Sequence, residues 1–278
     1  MPTVASAWRS LRGIAWSLAR SPLSKEMQRL LEKSLDLESA RQFACLYWLD
    51  GNDSAVKGSR DNLDPYEASR LDAYRFPQDR NRFLFGRLIV RSILASVLGC
   101  HPRDVPLRVE SGRPFLDPAV EMDIHFSISH ASDAVLVSFC RDIETGIDIE
   151  RQRTFENIND VARRVMTDTE YELFRRLQGA DSVAAFYRLW TCKEAVLKLM
   201  GTGFSVSPYE VSTKLEAPGR GLAHWRGIDY TLYDGCLGHA GHRFSWAHAT
   251  RGDRHSEIPL FHVDFITTNA RSIIKVKG

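Results

Sequence analysis

A segment that puts two acids on one strand face, and about forty residues later an acid and a lysine on one helix side, constrains this chain more than any other. Thr145-Gly146-Ile147-Asp148-Ile149-Glu150 follows the apolar run Ala134–Phe139 and reads as a strand, on which residues i and i+2 point to one face. Asp148 and Glu150 therefore share a face. Residues from about Ser182 to Met200 read as a helix stopped by Gly201. Glu194 and Lys198, at i and i+4, project together from it. Taken singly, each motif has an ordinary reading, because Asp-x-Glu is common on surfaces and a Glu–Lys pair at helical spacing stabilises a solvated face. If the helix packs across the strand, three carboxylates and a lysine converge, a donor set suited to a hard cation such as Mg²⁺ beside a phosphate.

Composition bounds the rest. The chain has 278 residues, enough for one large domain or two ordinary ones, and its 44% hydrophobic and 26% charged content is that of a globular protein. A net charge of +2 gives no electrostatic case for nucleic-acid binding. Cys45, Cys100, Cys140, Cys192 and Cys236 are odd in number and contain no C-x-x-C pair, which argues against a disulfide framework and a zinc site. They read as reduced thiols of a cytoplasmic protein. No apolar run is long enough to cross a bilayer, so no membrane partner is expected.

Residues 1–40 read as a basic extension. Arg9, Arg12, Arg20 and Lys25 stand there beside an apolar stripe, a composition shared by organelle-targeting peptides and by frayed basic tails. Glu26–Glu38 is helix-like and polar. Phe43–Leu49 is an apolar run of strand length, and Gly51–Asn62 is loop material. A helix is expected from about Gln78 to Leu98, with Arg80, Arg87 and Arg91 on a solvated face and Gly99 as its stop. Gly112–Leu116 is a turn entering an extended piece, and Ile124–His130 alternates as a half-buried strand does. Ile158–Val165 is helical, and Thr167–Glu170 forms a capping box opening a helix through Leu177. Arg163, Arg164, Arg175 and Arg176 there make either a solvated face or a surface for an acidic partner. Short strands follow around Val206–Leu215, Tyr230–Leu232, His242–Ala249 and Leu260–Phe265, and the histidines among them (His224, His239, His242, His248, His255) lack metal-ligand spacing. Strands and long helices recur on each side of Thr145, so the expected class is α+β with two similar halves, residues 41–144 and 145–278.

Two blocks carry a family resemblance. Gly146-Ile147-Asp148-Ile149-Glu150, then Trp190-Thr191-Cys192-Lys193-Glu194-Ala195-Val196-Leu197-Lys198, resemble the signature of 4'-phosphopantetheinyl transferases of the Sfp type, with Thr191-Cys192 filling the middle of the second block. The resemblance extends over roughly Phe43 to Pro208 and implies two α/β halves related by a pseudo-two-fold, with the active site in the cleft between them. It implies that Mg²⁺ is held by Asp148, Glu150 and Glu194, and that coenzyme A and an apo acyl- or peptidyl-carrier protein are the substrates. Lys198 would neutralise a phosphate oxygen, while Glu194, or a water it orients, would take the serine proton as 3',5'-ADP leaves. Lys193 would serve either phosphate binding or structure, and Trp190 would pack the helix. The block Asp79–Arg87 places Arg82 at the 3'-phosphate of coenzyme A, and Gly112-Arg113-Pro114 places Arg113 along its adenine end. Phe126-Ser127-Ile128-Ser129-His130 places Ser129 and His130 near the coenzyme phosphates. Two other classes stay open: a different Mg²⁺-dependent phosphotransferase, for which no Walker segment is present, and a non-catalytic coenzyme A or carrier-binding module. The sequence does not separate fatty-acid, polyketide, nonribosomal-peptide and lysine-pathway carriers.

Overall fold

The computed structural model describes residues 42–49, 59–202, 205–216, 219–252 and 258, together with two final strands, of which 261–268 and 271–277 are described by backbone alone. The basic segment 1–40, the greater part of the Gly51–Asn62 loop and His255 lie outside the described residues. Helices and sheets are both present, as the α+β class requires.

One compact unit is built on β1 (Gln42–Trp48), a run whose first five residues are all buried. It pairs in parallel with β11 (Leu260–Thr268), Ala44 opposite Leu260, and β11 pairs with the antiparallel β12 (Arg271–Lys277). On the other side of β1 lies β5 (Ala134–Arg141). Helix α1 (Pro65–Ala73) starts at Asp64, whose side chain accepts from Glu67 N at 2.8 Å, with Pro65 at the first helical position. Helix α2 (Pro77–Leu98) ends at Gly99 with φ 67°, the left-handed conformation that glycine adopts most cheaply. Arg91 of α2 was expected to be solvated but is fully buried. It is ion-paired to Glu67 and Asp64 and donates to the carbonyls of Pro102, Arg103 and Val105 at 2.9, 3.0 and 3.2 Å. A desolvated guanidinium is tolerable only with such partners, and here they bolt α1 to α2. Arg87, also buried, faces Glu67 at 3.5 Å and stacks over Phe83. The hairpin of β2 (Leu107–Glu110) and β3 (Arg113–Leu116) turns through Ser111 and Gly112, both at positive φ, as a two-residue hairpin loop requires.

The other unit is a five-stranded sheet ordered β6-β10-β9-β8-β7, with every neighbouring pair antiparallel. Its strands are β6 (Thr145–Arg151), β7 (Ser212–Leu215), β8 (Gly221–Trp225), β9 (Ile228–His239) and β10 (His242–Arg251). Helix α3 (Ile158–Val165), the capping-box helix α4 (Asp168–Phe174) and the long α5 (Gly179–Met200) follow β6. The side of α5 carrying Cys192, Ala195, Val196 and Leu199 packs on sheet residues Leu232, Ala247 and Ala249. Phe186 and Tyr187 pack with Val165, Met166 and Phe174 of the α3–α4 region. A helix covered on both sides this way is apolar on more than one face, which is why its sequence reads so strongly. His248 of β10 is fully buried and bonded to Thr145 Oγ1 at 2.7 Å; burial holds its imidazole neutral, with a pKa pushed down to about 3.

These units depart from the expected halves. The last two strands belong with β1 through the β1–β11 pairing, and His125–Ser132 of the hairpin formed by β4 (Ile124–Ala131) and β5 belongs with β6.

Candidate active site

Gly146 sets the height of α5 above the sheet. A Cβ built on it would fall 1.9 Å from Ala195 O and 2.6 Å from Leu199 N, so the helix backbone rests directly on this residue. Alternation along β6 places Asp148 and Glu150 on the same face as Gly146. The contact at Ala195–Leu199 then sets Glu194 and Lys198 alongside them. The expected crossing of helix over strand is present.

Ser127 and Ser129 of β4 bind the free edge of β6. Their hydroxyls accept from Ile147 N at 3.2 Å and Ile149 N at 3.3 Å, satisfying edge donors that have no strand partner there. Ser129 Oγ also donates to Asp148 Oδ1 at 2.8 Å and accepts from Lys198 Nζ at 2.7 Å. Lys198 Nζ lies 2.6 Å from the same Oδ1. One Asp148 oxygen is thus fully engaged by a serine and an ammonium. The other, Oδ2, is buried and has no hydrogen-bond partner.

Glu150 and Glu194 complete the cluster. Burial pushes the Glu150 carboxyl up to about 7, helped by Asp148 and Glu194 and opposed by Lys198 and by a hydrogen bond from the Trp190 indole. Glu194 is raised by burial and then by Asp148, against Lys198. Three carboxylates are therefore balanced by one lysine. Among the described residues no group of three or more His, Cys, Asp or Glu stands close enough together to hold a metal ion, so the expected triad is not closed. Like charge from Asp148 disfavours both glutamate anions, and Lys198 opposes it. The donor set nonetheless fits a divalent cation: all ligands are oxygen, Asp148 Oδ2 is an orphaned buried acceptor, and both glutamates are destabilised as anions.

Comparison with known proteins shows the family. Residues 144–245 match the family model described as the 4'-phosphopantetheinyl transferase superfamily, and residues 52–141 match that of the 4'-phosphopantetheinyl transferase N-terminal region. The chain is 36% identical over 159 residues to the 4'-phosphopantetheinyl transferase HetI of Nostoc sp., across 56% of this chain and 67% of that one. The chain belongs to the 4'-phosphopantetheinyl transferase superfamily. It is also 27% identical over 159 residues to the 4'-phosphopantetheinyl transferase Sfp of Bacillus subtilis, across 57% of this chain and 69% of that one.

Asp148, Ser129 and Lys198 are in direct contact, and Glu150 and Glu194 are coupled to them through charge. His130, next to Ser129 on β4, is exposed. In the other unit, Arg82 is part-buried and paired with Asp79 at 2.6 Å, one turn earlier on α2, while Arg113 opens β3 opposite Glu110. Lys193 corrects the phosphate-binding reading. Its side chain is fully buried and its ammonium is held by Glu170 at 2.6 Å and by the carbonyls of Pro208 and Val211 at 3.0 and 2.7 Å, so of the two roles open to it the structural one applies. Trp190, expected only to pack the helix, stacks on Phe186 at 6.3 Å and also donates to Glu150. Its place one turn before Glu194 in the transferase signature was the available signal.

Proposed function

We propose that this chain transfers the 4'-phosphopantetheine group of coenzyme A to a serine of an apo acyl- or peptidyl-carrier protein, in a Mg²⁺-dependent reaction that releases 3',5'-ADP. The observation that carries the reading is the divided Asp148 carboxylate, one oxygen fixed by Ser129 and Lys198 and the other buried without a partner beside two destabilised glutamates. Asp148 Oδ2, Glu150 and Glu194 would hold Mg²⁺, which when bound supplies Lewis-acid stabilisation of the pyrophosphate.

The chain's own groups do the positioning and the proton transfer. Glu194, or a water it orients, accepts the serine proton as the hydroxyl oxygen bonds to the β-phosphorus of coenzyme A. The bond from that phosphorus to the bridging oxygen breaks, and 3',5'-ADP leaves with the electron pair. Lys198, whose side chain is 32% exposed, retains a solvent-facing portion with which to neutralise charge on a phosphate oxygen. Phosphoryl transfer depends on such positioning and charge rather than on a covalent intermediate. Arg82 and Arg113 are carried over as contacts to the 3'-phosphate and adenine end, and His130 to the coenzyme phosphates. Arg163, Arg164, Arg175 and Arg176 of the α3–α4 region are exposed, as is Leu173, and such residues suit an acidic carrier.

Incubation of apo acyl- and peptidyl-carrier proteins with coenzyme A and Mg²⁺, followed by intact-mass spectrometry, tests this. The expected result is one phosphopantetheine per carrier serine and an equal amount of 3',5'-ADP. Coenzyme A binding with no mass gain on any carrier would instead mark a non-catalytic binding module.

A further inference from the structure

Three basic residues anchor α5, and they are spaced five apart: Arg188, Lys193 and Lys198. At about 100° per residue each step turns about 140°, so the three leave the helix in three directions. Arg188 grips Asp234 of β9 through two bonds, Nε to Oδ2 at 2.6 Å and a terminal nitrogen to Oδ1 at 3.0 Å. Lys198 reaches Asp148 of β6. Lys193 leaves in the remaining direction and meets Glu170 of α4.

Glu170 is unusually committed for one carboxylate. Its Oε2 accepts from Lys193 Nζ at 2.6 Å and from Thr167 N at 2.8 Å; its Oε1 accepts from Thr213 N and from Thr213 Oγ1, both at 2.7 Å. It therefore closes the capping box of α4, bonds to β7 and holds α5 at once. Lys193 spends its three protons on Glu170, Pro208 O and Val211 O. The side chains are 0% and 7% exposed, so solvent replaces none of these bonds. A buried ion pair is a poor source of stability, because desolvation cancels most of the attraction and apolar residues of similar volume often do as well. What it provides is direction: several short bonds tolerate far less sliding or rotation than an apolar contact does. The residue next to Lys193 is Glu194.

Resting on the transferase reading above, we propose that Glu170 and Lys193 are positioning residues for the transfer, fixing the rotation of α5 about its axis so that Glu194 and Lys198 stay on the side that faces Asp148. Neither touches substrate. A displacement of about 1 Å at reacting groups costs on the order of 10²-fold in rate, so loss of this anchor is expected to act on kcat while leaving coenzyme A affinity largely alone.

The test compares the wild type with the double variant Glu170→Gln/Lys193→Met, which removes both charges together and leaves no unpaired ion in the core. Carrier modification is followed at saturating Mg²⁺, with melting temperature measured in parallel. The expected result is a folded protein with kcat lowered by about tenfold or more and KM for coenzyme A within about twofold. Phe174→Leu, which loosens the apolar packing of α4 near α5 without touching the pair, is expected to lower the melting temperature and keep kcat. A folded double variant with wild-type kcat overturns the proposal, as does an equal kcat loss in Phe174→Leu. If the double variant fails to fold, Glu170→Asp keeps the charge but shortens the reach by one methylene; it is expected to lower kcat, and unchanged kcat there also overturns the proposal. A wild type that modifies no carrier sinks the transferase reading instead, so the two failures are distinguishable.

Discussion

At the residue scale, burial sets the charge state of Glu150. Burial and then Asp148 push its carboxyl from 4.5 up to about 7, so in metal-free protein the folded chain holds a proton there that the unfolded chain releases. Between those values the folded state binds more protons. Its contribution to stability is therefore fully present below about 4.5 and is lost as pH rises through 7. Glu150→Gln removes that loss. Thermal unfolding without metal should show the variant melting above wild type at pH 8, whereas added Mg²⁺ should stabilise wild type more than the variant; a variant melting below wild type at pH 8 would refute the assignment. Asp148, Glu150, Glu194 and Lys198 were legible because two periodicities, two for a strand and four for a helix, align them without knowledge of the rest. Lys193 was not. Its partner Glu170 lies on another helix, and the capping-box reading of Glu170 already accounted for that residue locally.

At the element scale, the α5–β6 crossing depends on Gly146. An alanine there would drive its Cβ into backbone atoms of α5, Ala195 O at 1.9 Å and Leu199 N at 2.6 Å, which no side-chain rotation relieves. Gly146→Ala should cost about 1–3 kcal/mol or more in a denaturant melt and should lower transfer beyond what the stability loss explains, because the helix that moves carries Glu194 and Lys198. Unchanged stability would show that α5 does not rest on this residue. The long helices were readable from apolar stripes and glycine stops, and α5 runs from Gly179, three residues ahead of the expected start at Ser182. Helix α1 was missed although Asp64-Pro65-Tyr66-Glu67 carries a helix-start signal. Only Glu67 and Leu71 of α1 are buried, so no apolar stripe marked it. The α4 helix ends at Phe174 rather than continuing to Leu177, which is itself exposed.

At the scale of the whole molecule, the α+β class followed from the alternation of element types, but the units did not follow from chain order. The parallel pairing of Ala44 with Leu260 joins the two ends of the described chain, a contact that no local pattern encodes. Burial of Arg91 was hidden for a similar reason: the acids that pair with it, Asp64 and Glu67, sit before and on α1, a separate helix whose packing against α2 no local pattern encodes. The central claim is that the β6–α5 carboxylates act together, through a divalent cation, on the pyrophosphate of coenzyme A. The most direct measurement is the rate of carrier modification as a function of Mg²⁺ concentration for wild type and Asp148→Asn side by side. The account predicts that chelation stops the wild type, that Mg²⁺ restores it, and that Asp148→Asn, still folded, loses at least about tenfold and needs more Mg²⁺ for half its maximal rate. Full transfer in chelator, or an Asp148→Asn curve that overlies the wild type, would contradict it.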